Sequence, residues 1–196
     1  MKYIIAIVLL VVLSACTGGK TIEGDTFYDQ GEYDKALEAY NKYLSLYPRN
    51  IKTLYNRART YEKLGNDKLA TDDLQEVLRL EPDHLQGRIT LGEMAFRRGD
   101  YERAYYEFDK AVTDHKQSSS AFAYRAKANQ MLGKIREALD DYGVSIRLDG
   151  SNGMAFFYRG TVYVYQKKRS AACSDFKRAG ELGIHEAEIA LKKFCN

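Results

Sequence analysis

The chain has no tryptophan, two prolines, three histidines and three cysteines among its 196 residues. Each shortage excludes something. So little proline leaves helices uninterrupted, and with sixteen tyrosines it points to a mostly helical, aromatic-rich chain. The cysteines form no CxxC pair, and the histidines form neither HxxxH nor HExxH, so a metal or redox site lacks its ligand spacing. There is no glycine-rich phosphate loop and no converging Ser/His/Asp set. No catalytic residue, metal or cofactor is therefore assigned, and the chain is not expected to be an enzyme. Charge of one sign is also missing: 30 basic and 27 acidic residues, net +3, alternate along the chain without blocks. Nucleic acid would call for a basic stripe, and it is not expected as a partner.

Long hydrophobic runs are absent too, with one exception. After the positive Met1-Lys2, residues Tyr3 to Leu13 are continuously apolar. As a helix this run would be roughly 16 Å long against a hydrocarbon core of about 30 Å. It is too short to span a membrane and suits the core of a signal peptide. Leu13-Ser14-Ala15-Cys16 follows directly and resembles the lipobox of bacterial lipoproteins. That resemblance implies a signal peptide over 1–15, cleavage before Cys16 and acylation (palmitate among the chains) of its thiol. Each buried methylene contributes about 0.8 kcal/mol, so several acyl chains would hold the protein on a membrane. Residues 16–20 would be the lipidated tether.

Beyond the tether one period governs the sequence. Ala36, Ala70, Ala104, Ala138 and Ala172 stand 34 residues apart without a slip. Twelve residues before each comes a small residue: Gly24, Ala58, Gly92, Ala126, Gly160. Four after each comes a large one: Tyr40, Leu74, Phe108, Tyr142, Phe176. Five before stand Gly31, Gly65, Gly99 and Gly133, with Lys167 breaking the series, and Pro48 and Pro82 fall twelve after. Small residues let two helices approach, a glycine ends the first, and the large side chain fills the space beside the small one. A lone hairpin cannot bury such a stripe, so neighbours must stack.

This pattern resembles the tetratricopeptide repeat (TPR). The resemblance implies an all-α solenoid of five helix-turn-helix units, at 17–50, 51–84, 85–118, 119–152 and 153–186, with a capping helix over 187–196. The first unit lacks a helical stripe over Thr17 to Gly24, so its first helix is expected to be short. With Cys16 acylated, Cys173 and Cys195 are an even pair in an oxidising compartment. The expectation is a disulfide tying the cap to the last unit; two buried free thiols are the alternative. Arg57/Asp73, Arg125/Asp141 and Arg159/Asp175 recur sixteen apart, and where the arginine is missing (Leu91, Glu23) the aspartate is too. These read as half-buried ion pairs bracing each hairpin. His84, His115 and His185 fall at unit boundaries and read as lone surface histidines.

Packing in each first helix is expected at repeat positions 4, 7, 8 and 11. Positions 2, 5, 9, 12 and 13 then lie on the face that, in the TPR family, lines the concave groove. The partner-binding residues expected there are Lys52, Tyr55, Arg59, Lys63, Ile89, Arg97, Lys127, Met154, Phe157, Val164 and Tyr165, a surface running from basic to apolar. An exposed Met/Phe/Val/Tyr cluster implies a partner, unless the cap covers it. Tyr55-Asn56-Arg57-Ala58 is similar to part of the carboxylate-clamp TPRs, but Thr21, Asp25 and Glu93 depart from that clamp, so it is not expected here. The two resemblances together imply a lipid-anchored scaffold or adaptor in the cell envelope, gripping a peptide or helix of an envelope protein. Thr17 after the lipidated cysteine favours the outer membrane. A peptidoglycan or carbohydrate binder and a secretin pilotin are the alternatives, and a homodimer is compatible with the pattern.

Overall fold

The structure, a computed structural model, describes residues 23–195. The expected signal segment 1–15, the expected acylation site Cys16, the expected tether and the opening of the first unit (17–22) lie outside the described residues. Within them the chain forms eleven α-helices and no strand. Five antiparallel pairs follow one another: α1 (Glu23–Asp29) with α2 (Tyr33–Leu46), α3 (Ile51–Lys63) with α4 (Asp67–Leu80), α5 (Leu85–Arg97) with α6 (Tyr101–Asp114), α7 (Ser119–Met131) with α8 (Ile135–Leu148), and α9 (Gly153–Tyr165) with α10 (Arg169–Glu181). Helix α11 (His185–Phe194) closes the stack. Each helix packs on its pair partner, each second helix also packs on the helix that follows it, and first helices of successive units touch at α5 with α7 and α7 with α9. None is long and apolar enough to cross a membrane.

Local chemistry sets the period. Asn50, His84, Ser118 and Asn152 stand 34 apart, and each side chain accepts from a backbone N–H three residues on, at 2.9, 3.0, 3.2 and 3.1 Å. These are helix N-caps. His84 is thus a capping residue through Nδ1 and no lone surface histidine, and the His115 ring bonds the Asp83 carbonyl. At the hairpin turns Gly31, Gly65, Gly99 and Gly133 sit at φ +74° to +79°, and Lys167 sits at +59° in the same place. The turn geometry persists where the glycine does not.

The close approach inside each pair falls where the small residues are. A Cβ added to Gly92 would meet Phe108 at 2.3 Å, one at Gly160 would meet Phe176 at 2.7 Å, and one at Gly24 would meet Tyr40 at 2.5 Å. The packing stripe needs correcting, however. Position 8 is buried in every unit, but so, from the second unit on, are position 3 (Thr53, Gly87, Ala121, Ala155) and position 10 (Thr60, Met94, Ala128, Val162). Positions 4 and 7 keep several half-exposed members, such as Phe122, Phe156 and the arginines. The first helix is wedged between two second helices, its own and the preceding one, so its buried surface is wider than one stripe.

The arginine pairs are forks. Arg57 donates Nε and Nη2 to Asp73 at 2.7 Å each, Arg125 to Asp141 at 2.8 and 2.6 Å, and Arg159 to Asp175 at 2.8 Å each. Arg57 and Arg125 also reach sixteen residues backward, to Asn41 at 2.7 Å and Asp109 at 2.8 Å, so they brace neighbouring units as well. In the third unit Glu107 takes its cations from elsewhere, Arg88 at 3.1 Å and Arg103 at 2.7 Å. At the far end Ala187 and Ala190 of α11 pack on Phe176 and Ala179, and the sulfur atoms of Cys173 and Cys195 are bonded at 2.00 Å.

Candidate functional site

The first helices α3, α5, α7 and α9 form one face, and the residues expected to bind a partner separate into three groups on it. The basic group is largely engaged within the chain. Lys52 reaches Asp25 at 2.9 Å, and the same carboxylate accepts from Tyr40 at 2.9 Å and Asn56 at 2.8 Å. Burial alone would raise the Asp25 pKa, but these three donors together hold it below the usual carboxylate value. Asn56, the residue shared with the carboxylate clamp, is thus already bonded to an internal acid. Arg59 lies over the Tyr28 ring at 4.8 Å and the Tyr55 ring at 5.9 Å. Arg97 pairs with Glu62 at 2.6 Å. Lys63 is exposed. The basic end expected from the sequence is therefore mostly neutralised by its own chain.

The second group is buried or half-buried. Ile89 is 4% exposed and packs with Ala111, Val112 and Ala121 of the following helices. Phe157 and Val164 are half-buried against the cluster of Phe176, Ala179 and the cap, with the Phe157 and Phe176 rings 5.9 Å apart. These three residues are corrected from groove to packing. The cap reaches back toward α9, and at position 5 a branched or aromatic side chain can fold into the seam between units.

The third group stays in the groove and gains Tyr124, Asn152 and Tyr158, which the sequence reading missed. Glu93, Ser120, Ala123, Tyr124, Lys127, Asn152, Met154 and Tyr158 line a depression of about 280 Å³ across units three to five. Lys127 sits between the Phe96 and Tyr158 rings, 4.5 and 4.9 Å from their centroids, a geometry in which both ring faces attract the ammonium. Tyr124 stacks on Phe108 at 5.2 Å, and burial together with the adjacent Glu93 carboxylate pushes its phenol pKa up. Met154 is 39% exposed. Beyond it a second hollow, lined by Gln130, Met131, Ile135 and Tyr165 among others, carries Tyr165 at 78% exposure. Tyr124 and Tyr158 occupy repeat position 6, one helical turn after Ser120 and Met154, and the i to i+4 step from position 2 is the signal that could have found them. Among the described residues no cluster of His, Cys, Asp and Glu could hold a metal ion.

Stacked helix pairs with a 34-residue period, a capped end and a hollowed first-helix face define a helical-repeat solenoid. The chain belongs to the tetratricopeptide-repeat family. A model described as "TPR repeat" matches residues 24–65 and one described as "Tetratricopeptide repeat" matches 55–121, together half of the chain. The DnaJ homolog subfamily C member 3 homolog of Dictyostelium discoideum is 26% identical over 181 residues, covering 84% of this chain and 36% of that protein. The chain spans little more than a third of the length of such relatives. Among solved structures it is similar to MamA (TM-score 0.71, 23% identity, 85% of this chain and 97% of that one). It is also similar to YrrB, described as a TPR protein with an unusual peptide-binding site (TM-score 0.66, 21% identity, 87% and 88%). Proteins of this family are in general interaction scaffolds and not enzymes.

Proposed function

We propose that the protein is a lipid-anchored scaffold of the bacterial envelope that holds a peptide or helix of another envelope protein in the groove of units three to five. The observation that carries the binding site is the depression around Lys127. It joins an exposed methionine and two half-buried tyrosine side chains to a cation, an acid and an amide, the mixture of apolar anchors and orienting polar groups typical of recognition sites. The anchor rests on the lipobox-like Leu13-Ser14-Ala15-Cys16 behind its eleven-residue apolar run. The Cys173–Cys195 bond supports export, because disulfides persist in oxidising compartments.

Photo-crosslinking from position 154 in living cells tests the groove, and fractionation of a Cys16→Ala variant tests the anchor. That variant should leave the membrane fraction; if it stays there after a carbonate wash, the anchor is wrong. Met154→Ala and Tyr165→Ala should weaken the captured complex by about 1–3 kcal/mol each with the melting temperature unchanged. Phe157→Ala should instead lower stability, by about 2–3 kcal/mol, through a partly relaxed cavity. Unaltered partner recovery with both groove variants would remove the binding site from this face.

A further inference from the structure

Two hollows lie on the seam of α7 and α9. The depression around Lys127 takes Ala123 from α7 and Met154 and Tyr158 from α9. The second hollow, of about 370 Å³, takes Gln130 and Met131 from α7 and Tyr165 from α9. Ala123 to Gln130 and Tyr158 to Tyr165 are both steps of seven residues, so the hollows are offset by about 10 Å along the seam. Met154 on the first and Met131 on the second are exposed apolar side chains. The Lys127 ammonium stands between the two levels. Phe96 and Tyr158, whose rings flank it, hold repeat positions 12 and 6, and Lys127 holds position 9. It is half-buried, and among the described residues its partners are those two rings and no carboxylate. Lys52 and Arg97 of the earlier units, by contrast, each have an acid. The Gln130 amide beside it is already engaged, donating to Thr161 at 3.3 Å and accepting from Tyr142 at 3.1 Å.

We propose that this seam takes an amphipathic helix of the partner protein, with apolar side chains at i and i+7 and one acid at i+3 or i+4, an inference that rests on the groove reading above. Ring faces replace only part of the hydration that a half-buried ammonium gives up, so Lys127 favours an anion. The spacing selects the helix. Helical residues i, i+3 or i+4, and i+7 share one face at heights of 0, about 5 and about 10 Å, which matches hollow, cation and hollow. A strand puts same-face residues at about 7 and 13 Å, and neither meets the second hollow. A polyproline helix reaches about 9 Å at i+3, but leaves no side chain on that face between. Glu93, on the α5 side of the first hollow, accepts from the Tyr124 hydroxyl and repels a second acid, so a single acid fits and an acidic run does not.

A display library of random linear peptides of about eighteen residues, long enough to form a helix, tests this by selection on the purified protein and on its Lys127→Glu variant. The protein should return apolar residues seven apart with Asp or Glu between them. Lys127→Glu should keep that spacing and exchange the acid for Lys or Arg. Peptides from the first selection should bind Lys127→Glu about tenfold more weakly, and Met154→Ala and Met131→Ala about fivefold more weakly each. Lys127→Met, whose stem still fills the space between the rings, should lose the preference for acid, and melting curves show that each variant is folded. Acids returned equally from Lys127→Glu, or from neither selection, overturn the proposal, and so do apolar residues two or four apart. Peptides of those kinds that still lose affinity to Met154→Ala leave the groove reading standing. Peptides indifferent to both Met154→Ala and Tyr165→Ala, or a library that returns no binder, end the groove reading as well.

Discussion

Lys167 holds a backbone conformation that glycine holds in the other four hairpins, φ +59° against +74° to +79°. For an L-residue the left-handed region costs about 1–2 kcal/mol, and a glycine returns part of that advantage through its larger unfolded entropy. Lys167→Gly is therefore expected to stabilise the protein by about 0.5–1 kcal/mol in urea unfolding. A loss of stability would mean that contacts of the lysine stem outweigh the strain. The break in the glycine series was legible in the sequence, but its outcome was not, because the packing of two helices fixes the turn and the residue merely complies. His84 shows the same effect: its register with Asn50, Ser118 and Asn152 was there to read, but a histidine cap is uncommon.

At the scale of the helix pair, the ring of one helix lies on the bare backbone of the other. Gly92→Ala would normally favour a helix by about 0.8–1 kcal/mol. Here the added carbon would stand 2.3 Å from Phe108 Cε1, and Phe108 is 1% exposed with no room to retreat. The expected net effect is a loss of about 1–3 kcal/mol, measured by thermal and urea unfolding against a control such as Gly143→Ala, where the added carbon meets only Arg147 at 3.5 Å. A more stable Gly92→Ala protein would show that the ring can yield. These pairings were readable because small and large residues keep a constant offset of sixteen. The arginine forks were readable for the same reason. The Glu107 arrangement was not, since Arg88 enters one turn earlier than the repeat position and Arg103 comes from Glu107's own helix.

Across the whole molecule, the period fixed which helices stack, but the groove depended on angles the period does not contain. Met154, Tyr165 and Lys127 stay on the open face, whereas Ile89, Phe157 and Val164 turn into seams between units and the basic end is quenched by Asp25 and Glu62. Stacked units pass stability only to their neighbours, and this gives the disulfide a local consequence. The Cys173–Cys195 bond closes a loop of 22 residues, worth about 3 kcal/mol by the loop-entropy relation. It fastens α11 over Phe176 and Ala179, and with them over Phe157 and Val164. Cys195→Ser should therefore lower stability by about 2–3 kcal/mol, and the loss should be uneven. Backbone amides of α9 to α11 should exchange faster with deuterium while those of α3 to α6 keep their protection, since the α7–α8 unit lies between. Uniformly faster exchange along the chain would mean the solenoid unfolds as one cooperative block and the cap guards every unit equally.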